Sequence, residues 1–476
     1  MTRMLSPERL AGLVGDFPRS PAYRGLRQAM QELIGDGRIP IGTRLPSERA
    51  AMRALGLSRN TVTRVYADLV ASGFASVRQG SGTYAAVPGD RRRAHDHALG
   101  VGLAADGAID LHCAASAATP GVAAAYERAL AALPGYLGGE GYLPSGLPEL
   151  QARIAERYRH RGVPTLPEQI VVTSGAQSAL AVVARALSRP GDRVLIESPV
   201  YSNAIGALQH GGGRLVSAPL GDDGWDLEGI EATLQQTTPH LAYLIPDFQN
   251  PTGFLLDDDG RARYAAALAA TRTVPIVDEA LQATRLDDRP MPAPFVAHAA
   301  NAISVGSVSK LFWGGLRVGW IRAPRDLVDR FIRTRVQFDL GSSLFDQLVV
   351  AELLDVPAIA DLRRAQLKSR RDALMAALQE RLPSWRCRVP EGGLTLWLRL
   401  PYGSATQLAA RVEPAGVHLA PGPVFSVEGG ADHWLRIPYA KPEAQLVQAV
   451  DRIADAWAAL PADATARRGG PQLLIA

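Results

Sequence analysis

Lys310 stands in Ser304-Val-Gly-Ser-Val-Ser-Lys-Leu-Phe-Trp-Gly-Gly-Leu-Arg-Val-Gly-Trp320, between small hydroxyl residues and a Gly-Gly turn. Arg317 follows it on the far side of that turn. An amine can hold an aldehyde as a Schiff base, and hydroxyl, amide and guanidinium donors can hold a phosphate beside it. That donor set is what a pyridoxal 5'-phosphate (PLP) site needs. A surface lysine after a strand has the same local appearance, so the rest of the chain must decide.

Other residues suited to this chemistry follow short apolar runs. Thr173-Ser-Gly-Ala-Gln177 opens a helix, whose free N–H groups and Ser174 hydroxyl make an anion cradle; a plain helix cap looks similar. Glu197-Ser-Pro-Val-Tyr201 places an aromatic ring where it can cover a flat cofactor. Pro246-Asp-Phe-Gln-Asn-Pro-Thr-Gly253 is a Pro/Gly-framed loop that presents Asn250, whose amide can donate to a phenolic oxygen. Asp278 closes Val274-Pro-Ile-Val-Asp278, where a carboxylate can keep a pyridine nitrogen protonated. Arg436, in Trp434-Leu-Arg-Ile-Pro438, carries a fork suited to a carboxylate. Each is commonplace alone; the ordered set is not.

The elements that must position them are legible as well. Gln169–Thr173, Arg193–Glu197, Leu241–Ile245, Val274–Asp278 and Ala302–Gly306 are apolar runs of strand length, suited to strands buried on both faces. Helical stretches lie between them at 176–188, 202–210, 227–236 and 260–271. The pattern predicts an α/β body with a mainly parallel sheet and its ligands at the carboxyl ends of the strands.

The 476 residues are 47% hydrophobic and 21% charged, ordinary for a soluble globular chain with room for more than one domain. No run of about 18 uncharged apolar residues suggests a membrane span. Glu8, Arg9, Asp16 and Arg19 interrupt the first stretch, which does not read as a signal peptide. Cys113 and Cys387 are the only cysteines and lack metal-type spacing, so no metal is expected and a reducing cytoplasm is. Charge is unevenly placed: residues 1–86 hold 12 Arg and 6 Asp+Glu, a net of +6 against +4 for the whole chain, which leaves −2 for the rest. A basic module on a near-neutral body suggests a polyanion partner; a solvated basic face is the alternative.

Within that module, Ala22–Gly35 has helical spacing with Leu26, Met30, Leu33 and Ile34 on one side. Ser47 and Ser58 are placed to cap two further helices, with Val62, Val65, Tyr66 and Leu69 facing inward on the second. Two short strands, 74–77 and 83–86, flank Arg78-Gln-Gly-Ser-Gly82. The order is helix, helix-turn-helix and β-wing. The run LPSERAAMRALGLSRNTVTRVYADLVASGFASVRQGSGTY resembles the winged helix-turn-helix of the GntR family. That resemblance implies DNA contacts by Arg49, Arg59, Asn60, Thr61, Arg64 and the wing residues Gln79, Gly80, Ser81 and Gly82.

The body resembles the fold type I PLP enzymes, the aspartate aminotransferase superfamily. The matching motifs are Tyr142-Leu-Pro-Ser-Gly-Leu-Pro-Glu-Leu150, TSGAQ, SPVY, NPTG, IVDE and SVSKLFWGGLRVGW. The resemblance implies a Schiff base on Lys310, with Asp278 at the ring nitrogen, Asn250 at the 3'-oxygen and Tyr201 stacked on the ring. It implies that Ser174, Gly175, Ala176, Ser307, Ser309 and Arg317 hold the phosphate. Tyr142 would reach it from the second subunit of a homodimer, and Arg436 would bind an effector or substrate carboxylate. The family usually has a tyrosine two or three residues after the aspartate, bonded to the 3'-oxygen; here those positions are Ala280 and Leu281. Losing that donor should raise the Schiff-base pKa and weaken turnover. A pH titration of the visible band is the check, and an ordinary low pKa would contradict the expectation.

Together the halves resemble the MocR-type subgroup of GntR-family regulators. The expected fold is multidomain: a small α+β winged helix-turn-helix (1–86), a linker (87–108), a large α/β fold type I PLP-dependent aminotransferase-like domain (109–460) and a tail (461–476). The resemblance implies a cytoplasmic, dimeric, PLP-dependent transcription regulator without useful turnover. Its operator would be double-stranded DNA with repeated half-sites, and its effector PLP or a small amino compound. A working aminotransferase with an accessory DNA-binding domain is the alternative.

Overall fold

Ser47 and Ser58 each start a helix by accepting a backbone N–H three residues on, at 3.3 Å from Ala50 and 3.2 Å from Thr61. A computed structural model describes residues 4–35, 38–39, 42–78, 80–86 and 108–459. Gln79, the linker through residue 107 and the tail lie outside the described residues. The chain packs as two compact units: Met1–His95 with Ala117–Arg128, and Asp96–Ser116 with Ala129–Ala476.

In the first unit, α1 (Pro7–Val14), α2 (Ala22–Gly35), α3 (Glu48–Leu55) and α4 (Arg59–Ala71) precede β1 (Ala75–Arg78) and β2 (Gly82–Ala85). Gly56 ends α3 in the left-handed region, φ 63 and ψ 37, a turn that would strain a side chain. Leu26, Met30, Leu33, Ile34, Val62, Val65, Tyr66 and Leu69 are buried in one cluster, the residues the spacing predicts. The Tyr66 hydroxyl is buried too and donates to the Pro46 carbonyl at 2.8 Å. β1 and β2 pair antiparallel with Arg78 opposite Gly82, so each wing strand is displaced by one residue from its expected bounds.

The second unit is built on an eight-stranded sheet of order β4-β11-β10-β9-β8-β5-β6-β7. After the short β3 (Ile109–Asp110), these are β4 (Ile170–Thr173), β5 (Arg193–Ser198), β6 (Arg214–Gly221), β7 (Gly224–Trp225), β8 (Leu241–Leu244), β9 (Val274–Asp278), β10 (Ile303–Ser307) and β11 (Gly319–Arg322). β10, β9, β8, β5 and β6 pair in parallel, and every residue of β4 and β8 is buried, as continuous apolar runs require. β11 was not expected. It pairs antiparallel with both β10 and β4; the 308–318 segment between β10 and β11 is shorter than the crossover of about a dozen or more residues that a parallel return needs.

A second, four-stranded sheet was also missed. Its order is β12-β13-β16-β15, with β12 (Arg386–Cys387), β13 (Thr395–Arg399), β15 (Ala420–Pro421) and β16 (Trp434–Pro438); β14 (Val417–His418) pairs with β3 instead. Leu396, Leu398, Leu435 and Ile437 sit in its core with the Glu443–Ala458 helix. Among the described residues, no helix is long and apolar enough to cross a membrane.

Candidate cofactor site and nucleic-acid interface

The carboxyl ends of the parallel strands converge on a cavity of about 560 Å³. Ala176, Tyr201, Asn250, Asp278, Ser307, Ser309, Lys310 and Arg317 line it, so eight positions from across the body meet there.

Asp278, the last residue of β9, is fixed from two sides. Its Oδ2 accepts the Tyr243 hydroxyl at 2.6 Å, and its Oδ1 accepts the Ala280 N–H at 2.8 Å. Burial pushes its pKa up, and these bonds with nearby Lys310 pull the other way. The Lys310 Nζ donates to the Ala114 carbonyl at 3.1 Å. Burial lowers the Lys310 pKa, which enlarges the share of neutral, nucleophilic amine.

The Ser307 hydroxyl donates to Ser309 Oγ at 2.9 Å and accepts the Ser309 N–H at 3.1 Å, which tightens the turn before Lys310. Arg317 sits at φ 48 and donates to the Ser174 carbonyl at 2.6 Å, tying the β11 hairpin to the turn after β4. Gly175 belongs there because an added Cβ would lie 2.8 Å from Arg317 Nη2. Ser174 and Gly175 do not line the main cavity. Ser174 lines an adjoining one and has its hydroxyl 3.3 Å from that of Ser342.

Arg436 is fully buried on β16 and lies behind Asn250, not in the cavity wall. Its Nη1 donates to Asn250 Oδ1 at 3.2 Å, and its Nη2 donates to the His112 carbonyl. Burial pulls its pKa down to about 10. With the Asn250 oxygen so engaged, its NH2 remains the donor. Tyr142 is 66% exposed.

Several wall residues escaped the sequence reading. Cys113, Ala114 and Ala115 arrive from far upstream and carry no local signal. Asn203 donates to the Tyr201 hydroxyl at 3.0 Å, and its place as the second residue of the next helix was the available clue. Thr395 comes from the unexpected second sheet.

In the first unit, Arg49, Arg59 and Asn60 are exposed. Thr61 shares its hydroxyl with the Ser58 cap at 2.8 Å. The Arg64 guanidinium lies 3.6 Å from the centre of the Tyr23 ring, which orients an exposed side chain. Gly80 and Gly82 are exposed at the wing tip, and Ser81 bonds Tyr84 at 2.5 Å.

Two family descriptions match: bacterial regulatory proteins of the gntR family over residues 22–85, and aminotransferase class I and II over residues 138–453. The probable rhizopine catabolism regulatory protein MocR of Rhizobium meliloti is 31% identical over 77% of this chain and 78% of its own. The chain belongs to the MocR-type subgroup of the GntR family. This MocR-type chain is also similar to 2-aminoadipate transaminase of Thermus thermophilus, 32% identical over 60% of this chain and 72% of the relative. Among solved structures, LysN, an α-aminoadipate aminotransferase from that organism complexed with N-(5'-phosphopyridoxyl)-L-leucine, matches with TM-score 0.67 and 29% identity, over 74% of this chain and 92% of its own.

Neither Tyr243 nor Gln282 supplies a donor to the cavity of this MocR-type chain in place of the absent tyrosine. The Tyr243 hydroxyl is committed to Asp278, and Gln282 lines a different cavity. Ala280 and Leu281 themselves form wall.

Proposed function

We propose that this chain is a PLP-dependent DNA-binding transcription regulator, in which PLP, or PLP carrying an amino compound, held at Lys310 controls DNA binding. The observation that supports this most is Lys310 and Asp278 lining one cavity in a chain that also carries a winged helix-turn-helix. The residues present fit PLP. A buried amine, a strand-end carboxylate and an amide donor surround a ring-sized space, and Gly175 leaves room for Arg317 beside the helix start at Ala176.

Bound there, PLP supplies an aldehyde that captures amines and a ring that withdraws electrons. The residues do the rest. Asp278 holds the proton at the ring nitrogen, and Tyr243 and Ala280 keep that carboxylate in place. Asn250 donates to the ring oxygen. Tyr201 covers the ring face. Ser174, Gly175, Ala176, Ser307, Ser309 and Arg317 hold the phosphate, with Tyr142 added from a second subunit. Arg436 receives the effector's carboxylate. Residues 1–86 read DNA and 109–460 sense the ligand. A ligand biases DNA binding only through unequal affinity for two states of the protein.

The test is a DNA-shift titration on the protein's own upstream region, with and without PLP and then with amino compounds. A PLP-dependent shift supports the reading; a colourless protein with a PLP-blind shift sinks it. The intact set of Lys310, Asp278, Asn250, Arg317 and Arg436 also favours a second reading, a working aminotransferase. Rapid amino transfer to a 2-oxo acid without a retarded DNA band would select it.

Arg59 gives a separate prediction. Arg59→Ala is expected to weaken operator binding and to lower the slope of log affinity against log salt by about 1, the share of a single neutralised phosphate. An unchanged slope and affinity would remove Arg59 from the interface.

A further inference from the structure

Behind the turn that carries Lys310 lies a second cavity, of about 280 Å³. Ser307 lines both cavities, and Val308 and Leu311 line only the second, so the 307–311 turn is the partition between them. The chemistry of the second cavity is unlike that of a packing defect. Arg157 and Arg161, from the end of the Pro148–His160 helix, both line it. The Arg161 Nη2 is buried without a hydrogen-bond partner among the described residues, and its Nη1 stands 3.9 Å from Glu279 Oε2. Burial disfavours the Arg157 charge, and the like charge of Arg161 adds to that. Arg322, 6% exposed, is outside the cavity lining but near enough to feel the charges of Tyr158 and Glu279, and its Nε and Nη1 are unpartnered among the described residues.

Among the described residues, Glu279 is the one carboxylate lining the cavity. Its Oε2 accepts the Tyr158 hydroxyl at 2.6 Å, and the Tyr158 oxygen in turn accepts the Trp320 indole N–H at 3.1 Å. Its Oε1 is buried and unpartnered among the described residues. Two guanidinium groups and one carboxylate therefore line the cavity, and a buried donor on Arg161 and a buried acceptor on Glu279 both stand unused among the described residues. Burying such groups without partners is costly, and a bound anion would satisfy them.

We propose that this cavity binds a small organic dianion carrying a hydrogen-bond donor, with its acid groups on Arg157 and Arg161 and its donor on Glu279. The occupant would press on the back of the turn that holds Lys310. Apolar walls at Ile154, Leu311 and Leu354 favour a compact carbon skeleton over a bare inorganic ion.

Calorimetric titration of the full chain in saturating PLP, with malate, succinate and inorganic phosphate as probes, tests this. Malate should bind saturably. Succinate, which has the acid groups but no donor, should bind about tenfold more weakly because Glu279 Oε1 stays unpaired. Arg157→Gln and Arg161→Gln should each weaken malate at least tenfold, while a cooperative melt and the visible PLP band persist. Arg436→Gln should leave malate binding unchanged, which separates this cavity from the Lys310 cavity. Absence of saturable malate binding would overturn the proposal. So would binding that survives both Arg157→Gln and Arg161→Gln, or that is lost only in Arg436→Gln.

Discussion

Lys310→Ala is expected to yield a protein that leaves gel filtration without the visible PLP band and whose DNA shift no longer responds to PLP. The amine is the group in the cavity suited to capture an aldehyde, and burial already lowers its pKa toward the neutral form that attacks. Asp278, Asn250 and Arg317 would still surround the ring, so weak, reversible binding at high PLP is compatible with the expectation. DNA affinity without PLP should stay close to that of the parent, since α3, α4 and the wing are untouched. Absorbance spectra and DNA-shift titrations on both proteins are the measurements. A variant that stays coloured, or that keeps its PLP response, would take the Schiff-base role away from Lys310.

Gly319→Ala should have the larger structural effect. Gly319 starts β11 opposite both Thr173 of β4 and Ser307 of β10. A Cβ there would lie 2.5 Å from the Gly175 carbonyl carbon, 2.6 Å from the Gly306 oxygen and 2.7 Å from the Ala176 nitrogen. All three are backbone atoms, so no side chain can swing aside. Relief requires parting β11 from β10 or pushing the turn after β4 away from the sheet. Overpacking of this kind costs about 3 kcal/mol. The displaced turn also contains the N–H groups proposed to hold the phosphate, so PLP affinity should fall with the melting temperature. Gly138→Ala, whose added carbon meets nothing within 4 Å, is the control and should stay within about 0.5 kcal/mol of the parent. Thermal unfolding and PLP titration of the two variants decide; equal melting temperatures would refute the steric clash.

The legible parts of the site were those where one short segment carries both the element and the chemistry. Asp278 ends an apolar run, Ser174 opens a helix and Lys310 follows a strand, so strand-end logic placed them without a structure. The same holds for Ser47 and Ser58, whose caps are read three residues ahead. Cys113 and Ala114 were not legible, because they meet Lys310 across nearly 200 residues of chain, and loop closure on that scale leaves no local pattern. Tyr243 is the instructive intermediate. Its place in the apolar run Leu241–Ile245 marked it as buried, but only the pairing of Tyr243 with Ile276 in the sheet brings its hydroxyl to Asp278. β11 and the second sheet were lost for a related reason. β12 and β15 are two residues long, β11 opens on Gly319 and closes on Arg322, and antiparallel returns resemble loops when only periodicity is read.

The bonding of Arg436 bears on what an effector must achieve. This guanidinium already donates to the Asn250 side-chain oxygen and the His112 carbonyl, while its Nε has no partner among the described residues. A carboxylate that engages both terminal nitrogens therefore displaces two of the protein's own oxygens. Binding there is an exchange reaction, and its affinity is the difference between two bonding patterns. Asn250 is one of the groups displaced, so the exchange frees its side chain to rotate. Under the proposed PLP reading, occupancy at Arg436 would be felt at Asn250, the group proposed to face the ring oxygen.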